Sequence, residues 1–180
     1  LAFGPEGILF VGDSQGAAIW ALDTGDRDPG SGKLDIAGID AKIAALLGVS
    51  ADAILINDFA VNPISKRGYL SVSRGKGPDA IPVIVRIDSA GKIEELDLGA
   101  IRHSKAALPN PVATDAKDRR GAPLRGEAIT DLAYLGGKLF VAGLSNEEFA
   151  SNLRTIEFPF RGIDGGAAID IYHGNHAAWE

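Results

Sequence analysis

The stretch INDFAVNPISKRGYLSVS, residues 56–73, contains two short apolar segments separated by a polar turn. Residues 59–61 are apolar and are followed by Asn62-Pro63, a pair that commonly begins a turn. Residues 69–73 then alternate apolar and polar side chains with the period of two that a half-buried strand requires. The stretch therefore predicts two β-strands joined by a loop.

The same order of elements occurs twice more along the chain. Residues 1–23 and 131–158 each contain an apolar triplet, a tight turn and a second apolar run, GILFVG in one and KLFVAG in the other. Units of three or four strands that recur along a chain are typical of a β-propeller. The sequence thus predicts an all-β protein in which residues 1–180 supply about three propeller blades. A β-sandwich built from similar hairpins is the alternative.

Two segments interrupt the repeats. Residues 38–50, GIDAKIAALLGVS, predict a short inserted helix, because Asp40 lies in the first turn, Gly48 can end the helix, and apolar side chains recur at helical spacing. The spaced residues are Ile39, Ile43, Leu46 and Leu47. Residues 106–126 are rich in proline, glycine and charge, which predicts a long mobile loop. Further strands are predicted at residues 83–87 and 168–172.

Composition limits the possible partners. The 180 residues carry a net charge of −6, which disfavours binding to nucleic acid or to anionic membranes. No apolar run approaches the ~18 residues that a membrane helix needs. The chain has no cysteine, which excludes disulfides and thiolate-bound zinc. It also has no methionine, and a removed signal peptide or trimming of the chain would explain this.

Two quoted segments carry a family resemblance. INDFAVNPISKRGYLSVS and ITDLAYLGGKLFVAG, residues 129–143, resemble the blade openings of NHL, YVTN and gluconolactonase-like propellers. They are most similar to uncharacterised secreted bacterial propellers of that group. The resemblance implies a periplasmic or secreted protein, and it implies a chain longer than this one. Blade turns recur in many unrelated activities, so the resemblance bears on fold more than on function.

Three blades are too few for a closed ring, since propellers close with roughly four to eight. Open sheet edges invite pairing with another chain. We therefore expect a second polypeptide to complete the propeller. It would be the remainder of a processed precursor or a second copy of this chain.

A polar pair precedes the apolar triplet in two of the repeats. Asn57-Asp58 and Thr130-Asp131 occupy equivalent places, at the start of the strand that lines a propeller channel. Carboxylate and amide oxygens there would suit Ca²⁺ or another hard cation. The resemblance to gluconolactonase-like propellers nominates Asn57 and Asp58 as metal ligands, and Glu127 is a further candidate. The alternative is that Asp58 and Asp131 bind backbone amides in the turn.

The C-terminal sequence IYHGNHAAWE offers a second candidate metal site. His173 and His176 are separated by Gly174-Asn175, which favours a turn that would bring the two imidazoles together. With Glu180 they would suit Zn²⁺, Fe²⁺ or Cu²⁺. Histidines on the surface or between strands are the alternative.

Two functions follow from these patterns. The first is an extracytoplasmic enzyme, hydrolase-like or lactonase-like or an oxidoreductase, with a divalent metal at the central channel and a small polar substrate. The second is a non-catalytic propeller that binds another molecule or docks a redox protein. The sequence has no Gly-x-Ser-x-Gly motif that would indicate a serine hydrolase of the α/β-hydrolase type.

Overall fold

The computed structural model describes residues 1–146 and 151–160, together with the backbone of residues 167–168. These residues form a mostly β protein with three four-stranded antiparallel sheets and one α-helix, which confirms the all-β prediction. The chain divides into two compact units. One unit contains residues 1–11 and 21–104, and the other contains residues 12–20 and 105–180.

The strands are numbered in chain order. The first sheet has the order β1-β2-β3-β8, with β1 at Ala2–Phe3, β2 at Ile8–Asp13, β3 at Ala18–Asp23 and β8 at His103–Ala107. The second sheet consists of β4 (Ile54–Val61), β5 (Gly68–Arg74), β6 (Ile81–Ile87) and β7 (Ile93–Glu95) in sequential order. The third consists of β9 (Asp131–Leu135), β10 (Lys138–Leu144), β11 (Ser151–Glu157) and β12 (Ala167–Ala168), also sequential. The helix α1 spans Ile39–Leu46, and short 3-10 turns occur at Pro5–Gly7, Ala51–Ala53, Gly77–Asp79 and Arg125–Glu127.

The predicted pair of strands around residue 62 is present as β4 and β5. These strands pair antiparallel up to Val61, which lies opposite Gly68. Between Ile56 and Asp58 the register shifts through a β-bulge, which leaves Asn57 as the extra residue. A bulge reverses the alternation of side chains between the two faces of a strand, so it decides which face Asp58 occupies.

The core of the first unit lies between the second sheet and α1. Ile43 is fully buried, and it belongs to a cluster of apolar side chains from the helix and the sheet, none of which is more than 7% exposed. The cluster consists of Ile43, Leu47, Leu70, Val72, Val83, Val85 and Ile87. The predicted helix is therefore present, and it packs on a face of the sheet. Leu46 shares the helical spacing but is 43% exposed, because it lies on the outer side of α1.

The opposite face of the second sheet is also packed. Tyr69 is fully buried there, and its ring meets that of Phe3 edge-on with centroids 5.0 Å apart. No helix in the described part of the chain is long and apolar enough to cross a membrane.

The third sheet forms most of the regular structure of the second unit. Its first hairpin turns at Gly136-Gly137, whose φ values of 59° and 82° are readily adopted by glycine. This confirms the predicted turn. Leu139, Val141 and Ile156 are fully buried in the unit. The strand predicted at residues 168–172 lies outside the described residues, apart from Ala168 in β12.

The segment 106–126 is irregular after the end of β8, with isolated bridges at Pro111 and Lys117. Its anchor is Arg125, which is 9% exposed. The Arg125 side chain donates from Nε to the carbonyl of Gln15 at 3.0 Å and from Nη1 to the carbonyl of Val112 at 2.6 Å. Charge-assisted hydrogen bonds of this kind hold an irregular loop in one arrangement.

Candidate functional site

The two aspartates predicted to bind metal make the same local contact. Asp58 Oδ1 accepts a hydrogen bond from the backbone N–H of Phe59 at 2.7 Å. Asp131 Oδ1 accepts one from the backbone N–H of Leu132 at 2.8 Å. Both carboxylates are exposed, and Asp58 Oδ2 also accepts from the backbone nitrogen of Leu1. The local geometry is therefore that of the backbone-binding alternative, and each side chain remains accessible to solvent.

The other nominated ligands are distributed between the two units. Asn57 belongs to the first unit with Asp58, and its Nδ2 donates to Ser73 Oγ at 2.9 Å. Glu127 is exposed in the 3-10 turn that precedes β9, in the unit that contains Asp131. Among the described residues, no three His, Asp or Glu side chains form a group that could hold a metal ion. His173 and His176 lie outside the described residues.

A buried carboxylate that the sequence does not reveal organises the first unit. Asp26 lies in the segment between β3 and α1, and its side chain is fully buried. Its Oδ1 accepts from Arg67 Nη1 at 2.6 Å. Its Oδ2 accepts from Ser65 Oγ at 2.6 Å, Tyr69 Oη at 2.9 Å and Asn62 Nδ2 at 3.2 Å. One carboxylate thus ties the segment that leads to α1 to the β4–β5 hairpin.

The protonation of this cluster follows from its contacts. Burial alone would raise the pKa of Asp26, but the hydrogen bonds from Ser65 and Tyr69 and the charges of Arg67 and Arg86 outweigh it. The pKa of Asp26 is therefore below its ordinary value, and the carboxylate is ionised at neutral pH. Burial raises the pKa of Tyr69, so its hydroxyl remains a donor. A fully buried carboxylate with four side-chain donors is a structural lock.

An open groove of about 480 Å³ lies beside this lock. Thr24, Arg86, Glu94, Asp97 and Ile101 are among the residues that line it. Arg86 Nη2 donates to Glu94 Oε2 at 2.7 Å. Contacts with Lys92 and then Arg86 lower the pKa of Glu94 to about 2. Asp97 Oδ1 accepts hydrogen bonds from the backbone N–H groups of Gly99 and Ala100, so the polar groups of the groove have partners within the protein.

The strand β4 combines these polar groups with exposed apolar ones. Leu55 is 62% exposed, Phe59 is 50% exposed and Val61 is 42% exposed. The strand forms an edge of the second sheet, since its strand neighbour there is β5. Apolar side chains on a sheet edge are a recognised attachment surface for another polypeptide.

No family model matches the chain, and neither the curated proteins nor the solved structures include a match. The site is therefore defined by its own geometry. Two features sequence reasoning missed are the Asp26 lock and the apolar exposure of β4. The exposure of β4 has a sequence signal, since Leu55, Phe59 and Val61 lie in a strand that the repeat places first in its unit. The Asp26 lock has no such signal, because the partners of Asp26 lie 36 to 43 residues further along the chain.

Proposed function

We propose that this chain supplies blades of a β-propeller of the NHL, YVTN or gluconolactonase-like type. The support is topological. The second and third sheets each consist of four consecutive strands in sequential antiparallel order, which is the construction of a propeller blade. Each begins with an edge strand that carries an exposed aspartate, Asp58 in β4 and Asp131 in β9.

The proposed function is that of an extracytoplasmic, non-catalytic binding propeller, periplasmic or secreted, whose ring is completed by a second polypeptide. One observation carries this proposal, namely the exposed apolar side chains of the edge strand β4, with Phe59 and Val61 on one face of the sheet and Leu55 on the other. Burial of apolar area contributes about 25 cal/mol per Å², so an edge of this kind favours association wherever a complementary sheet is available. The second polypeptide is the remainder of a processed precursor or a second copy of this chain.

A second candidate, a metal-assisted hydrolase or lactonase acting on a small polar substrate, is favoured by the repeated contact of Asp58 and Asp131. Their exposed carboxylate oxygens are ligands of the type that Ca²⁺ prefers, and Asn57 would add an amide oxygen. A bound ion would polarise a carbonyl group or activate water. In the first unit Asn57 and Asp58 would hold an ion, and in the second unit Asp131 would do so with Glu127 as a further oxygen ligand. His173 and His176 would supply a separate site for a transition metal.

Native mass spectrometry together with elemental analysis separates the two functions. For the binding propeller we expect a species heavier than the 18.7 kDa chain, and we expect Phe59→Lys with Leu55→Lys to reduce that species to the single chain. The matched control is Leu98→Lys, which changes an apolar residue that is 39% exposed and lies outside the strands. A wild-type protein that remains a monodisperse 18.7 kDa species at all concentrations contradicts the proposal.

The enzyme candidate predicts a different result. Calcium titration by calorimetry should detect binding that Asp58→Asn removes from the first unit and that Asp131→Asn removes from the second. Asp28→Asn is the control, because Asp28 is an exposed aspartate outside the strands. Equal binding by all three variants would remove these aspartates from any metal site.

A further inference from the structure

The strands β4 and β9 each lie at one end of the strand order of their sheet, so each has an open edge. Backbone groups on the open side of an edge strand can pair with a strand of another polypeptide. Which groups point there follows from the register of each hairpin. In an antiparallel pair, residues that exchange hydrogen bonds with the partner strand alternate with residues whose backbone groups point away from it.

In β4 the backbone N–H of Phe59 points to the open edge. Just after the strand, the N–H of Asn62 donates to the carbonyl of Arg67 at 2.9 Å, so the backbone of Asn62 faces the β5 side. Regular pairing continues from there back to Asp58, and therefore Ala60 and Asp58 face β5 as well. Phe59 lies between these two residues, so its N–H points away from β5.

In β9 the backbone N–H of Leu132 points to the open edge in the same way. The Gly136-Gly137 turn has positive φ at both residues, which is the geometry of a two-residue hairpin, so the flanking Leu135 and Lys138 exchange hydrogen bonds. Alternate residues of β9 back to Asp131 then face β10. Leu132 falls between two such residues, and its N–H points away from β10.

A carboxylate occupies each of these outward N–H groups. Asp58 Oδ1 accepts from the N–H of Phe59 at 2.7 Å, and Asp131 Oδ1 accepts from the N–H of Leu132 at 2.8 Å. Both aspartates are exposed, so each also places a negative charge on the open edge. A strand that paired there would need this N–H as a donor, and it would have to bring a carbonyl oxygen next to the carboxylate.

We propose that Asp58 and Asp131 are edge guards, which prevent a strand of another polypeptide from pairing with β4 or β9. Each guard occupies an outward N–H and charges the edge at the same point. The inference does not depend on the proposed propeller, and it narrows the proposed binding function. The second polypeptide would contact side chains of β4 such as Phe59 and Val61 without extending the sheet.

Amide hydrogen exchange of Asp131→Ala in dilute solution gives the first test. We expect the protection factor of the Leu132 amide to fall about tenfold relative to wild type, because the substitution removes its acceptor. Asp131→Asn keeps a side-chain oxygen at that place and should keep the protection. Unchanged protection of Leu132 in Asp131→Ala would overturn the guard role. A loss of protection that extends through β10 would also overturn it, because Asp131 would then support the hairpin as a whole.

Self-association gives the second test, because copies of the chain are the strands present in a purified sample. Asp58→Ala combined with Asp131→Ala should associate at a concentration about tenfold lower than wild type in light scattering. Its infrared amide I band should gain intermolecular β-sheet. The control is Asp28→Ala combined with Asp115→Ala, which removes two charges from exposed positions outside the strands, one in each unit. This control should behave as wild type.

Two outcomes of the association test contradict the edge guards. The first is a guard variant that associates no more than the control. The second is an equal gain in both variants, since the lower net charge would then explain it. The mass of the wild-type protein tests the proposed binding function separately, because the guard role concerns only the change that these substitutions produce.

Discussion

Replacing Asp26 by Asn should destabilise the protein more than any other single change of charge among the aspartates of the first unit. The Asp26 side chain is fully buried and accepts hydrogen bonds from four side chains. Asparagine retains one acceptor oxygen, but its amide group presents hydrogens to donors that already surround it. The substitution also leaves Arg67 without its carboxylate partner.

The magnitude follows from these contacts. Hydrogen bonds to a charged group contribute about 1.5–3 kcal/mol each, and a buried donor left unsatisfied costs about 1–3 kcal/mol. Arg67 is 38% exposed, so water can solvate part of its charge, and Ser65 and Tyr69 can rotate their hydroxyl hydrogens. We therefore expect a loss of about 2–4 kcal/mol in the free energy of unfolding, which is a large part of the ~5–15 kcal/mol typical of a domain.

The assay is urea unfolding followed by tryptophan fluorescence, with Asp28→Asn as the matched control. Asp28 lies two residues away, is exposed, and loses the same charge on substitution. The urea concentration at the unfolding midpoint should fall for Asp26→Asn, while the dependence of the unfolding free energy on urea stays unchanged. For Asp28→Asn the midpoint should stay near the wild-type value. A double-mutant cycle with Arg67→Met should show coupling between the two side chains.

The loss of unfolding free energy caused by Asp26→Asn should also depend on pH. The folded pKa of Asp26 is lower than its unfolded value of 3.8, so ionisation of this group stabilises the folded state above that pH. The stabilisation should be lost as the pH falls from about 3.8 through the folded pKa. The difference between wild type and Asp26→Asn should therefore be full at neutral pH and shrink in acid. A difference below about 0.5 kcal/mol at neutral pH, or one that grows in acid, would refute the role assigned to the lock.

Two further predictions concern the second unit. Gly143→Ala should lower the free energy of unfolding by roughly 1–3 kcal/mol, because a Cβ there would lie 2.1 Å from the carbonyl oxygen of Ala128. The control is Gly126→Ala, where a Cβ meets open space, and its urea midpoint should stay near the wild-type value. Arg125→Met should lower the free energy of unfolding by about 1.5–3 kcal/mol through the loss of its two hydrogen bonds to backbone carbonyls. Its melting temperature should therefore lie well below that of the control Arg119→Met, which changes an exposed arginine. Equal melting temperatures for the two variants would exclude the anchoring role.

The features that were predictable from sequence are local ones. Strand alternation at residues 69–73, the Gly136-Gly137 turn and the spacing of Ile39 and Ile43 each depend on a few neighbouring residues, and the structure contains all of them. The backbone contact of Asp131 is equally local, since its partner is the next residue. Such contacts recur wherever the sequence repeats.

The Asp26 lock was beyond sequence reasoning because it is assembled from distant segments. Nothing in the sequence near Asp26 distinguishes it from Asp28, yet one is fully buried and the other exposed. The difference arises because the loop after β4 brings Ser65 and Arg67 to that point. The packing of α1 on the second sheet is similar, since helical spacing defines an apolar face but not the surface that covers it.

The β-bulge in β4 leads to a final prediction. Residues opposite one another in paired antiparallel strands share a face, so Ile56 lies on the face of Val72, which packs against α1. Strict alternation would place Asp58 on that same apolar face. The extra residue Asn57 reverses the alternation, and Asp58 instead shares the opposite face with Ser71.

Deleting Asn57 should remove the bulge and leave both of its neighbours on their present faces. Ile56 and Asp58 would become consecutive, and regular pairing would still place them opposite Val72 and Ser71. We therefore expect the deletion to change the free energy of unfolding by less than about 1 kcal/mol in a urea titration, close to the effect of Asn57→Ser, which keeps the bulge. A deletion variant that unfolds at a much lower urea concentration than Asn57→Ser would mean that the bulge itself holds the register of β4, because no side chain would have had to change face.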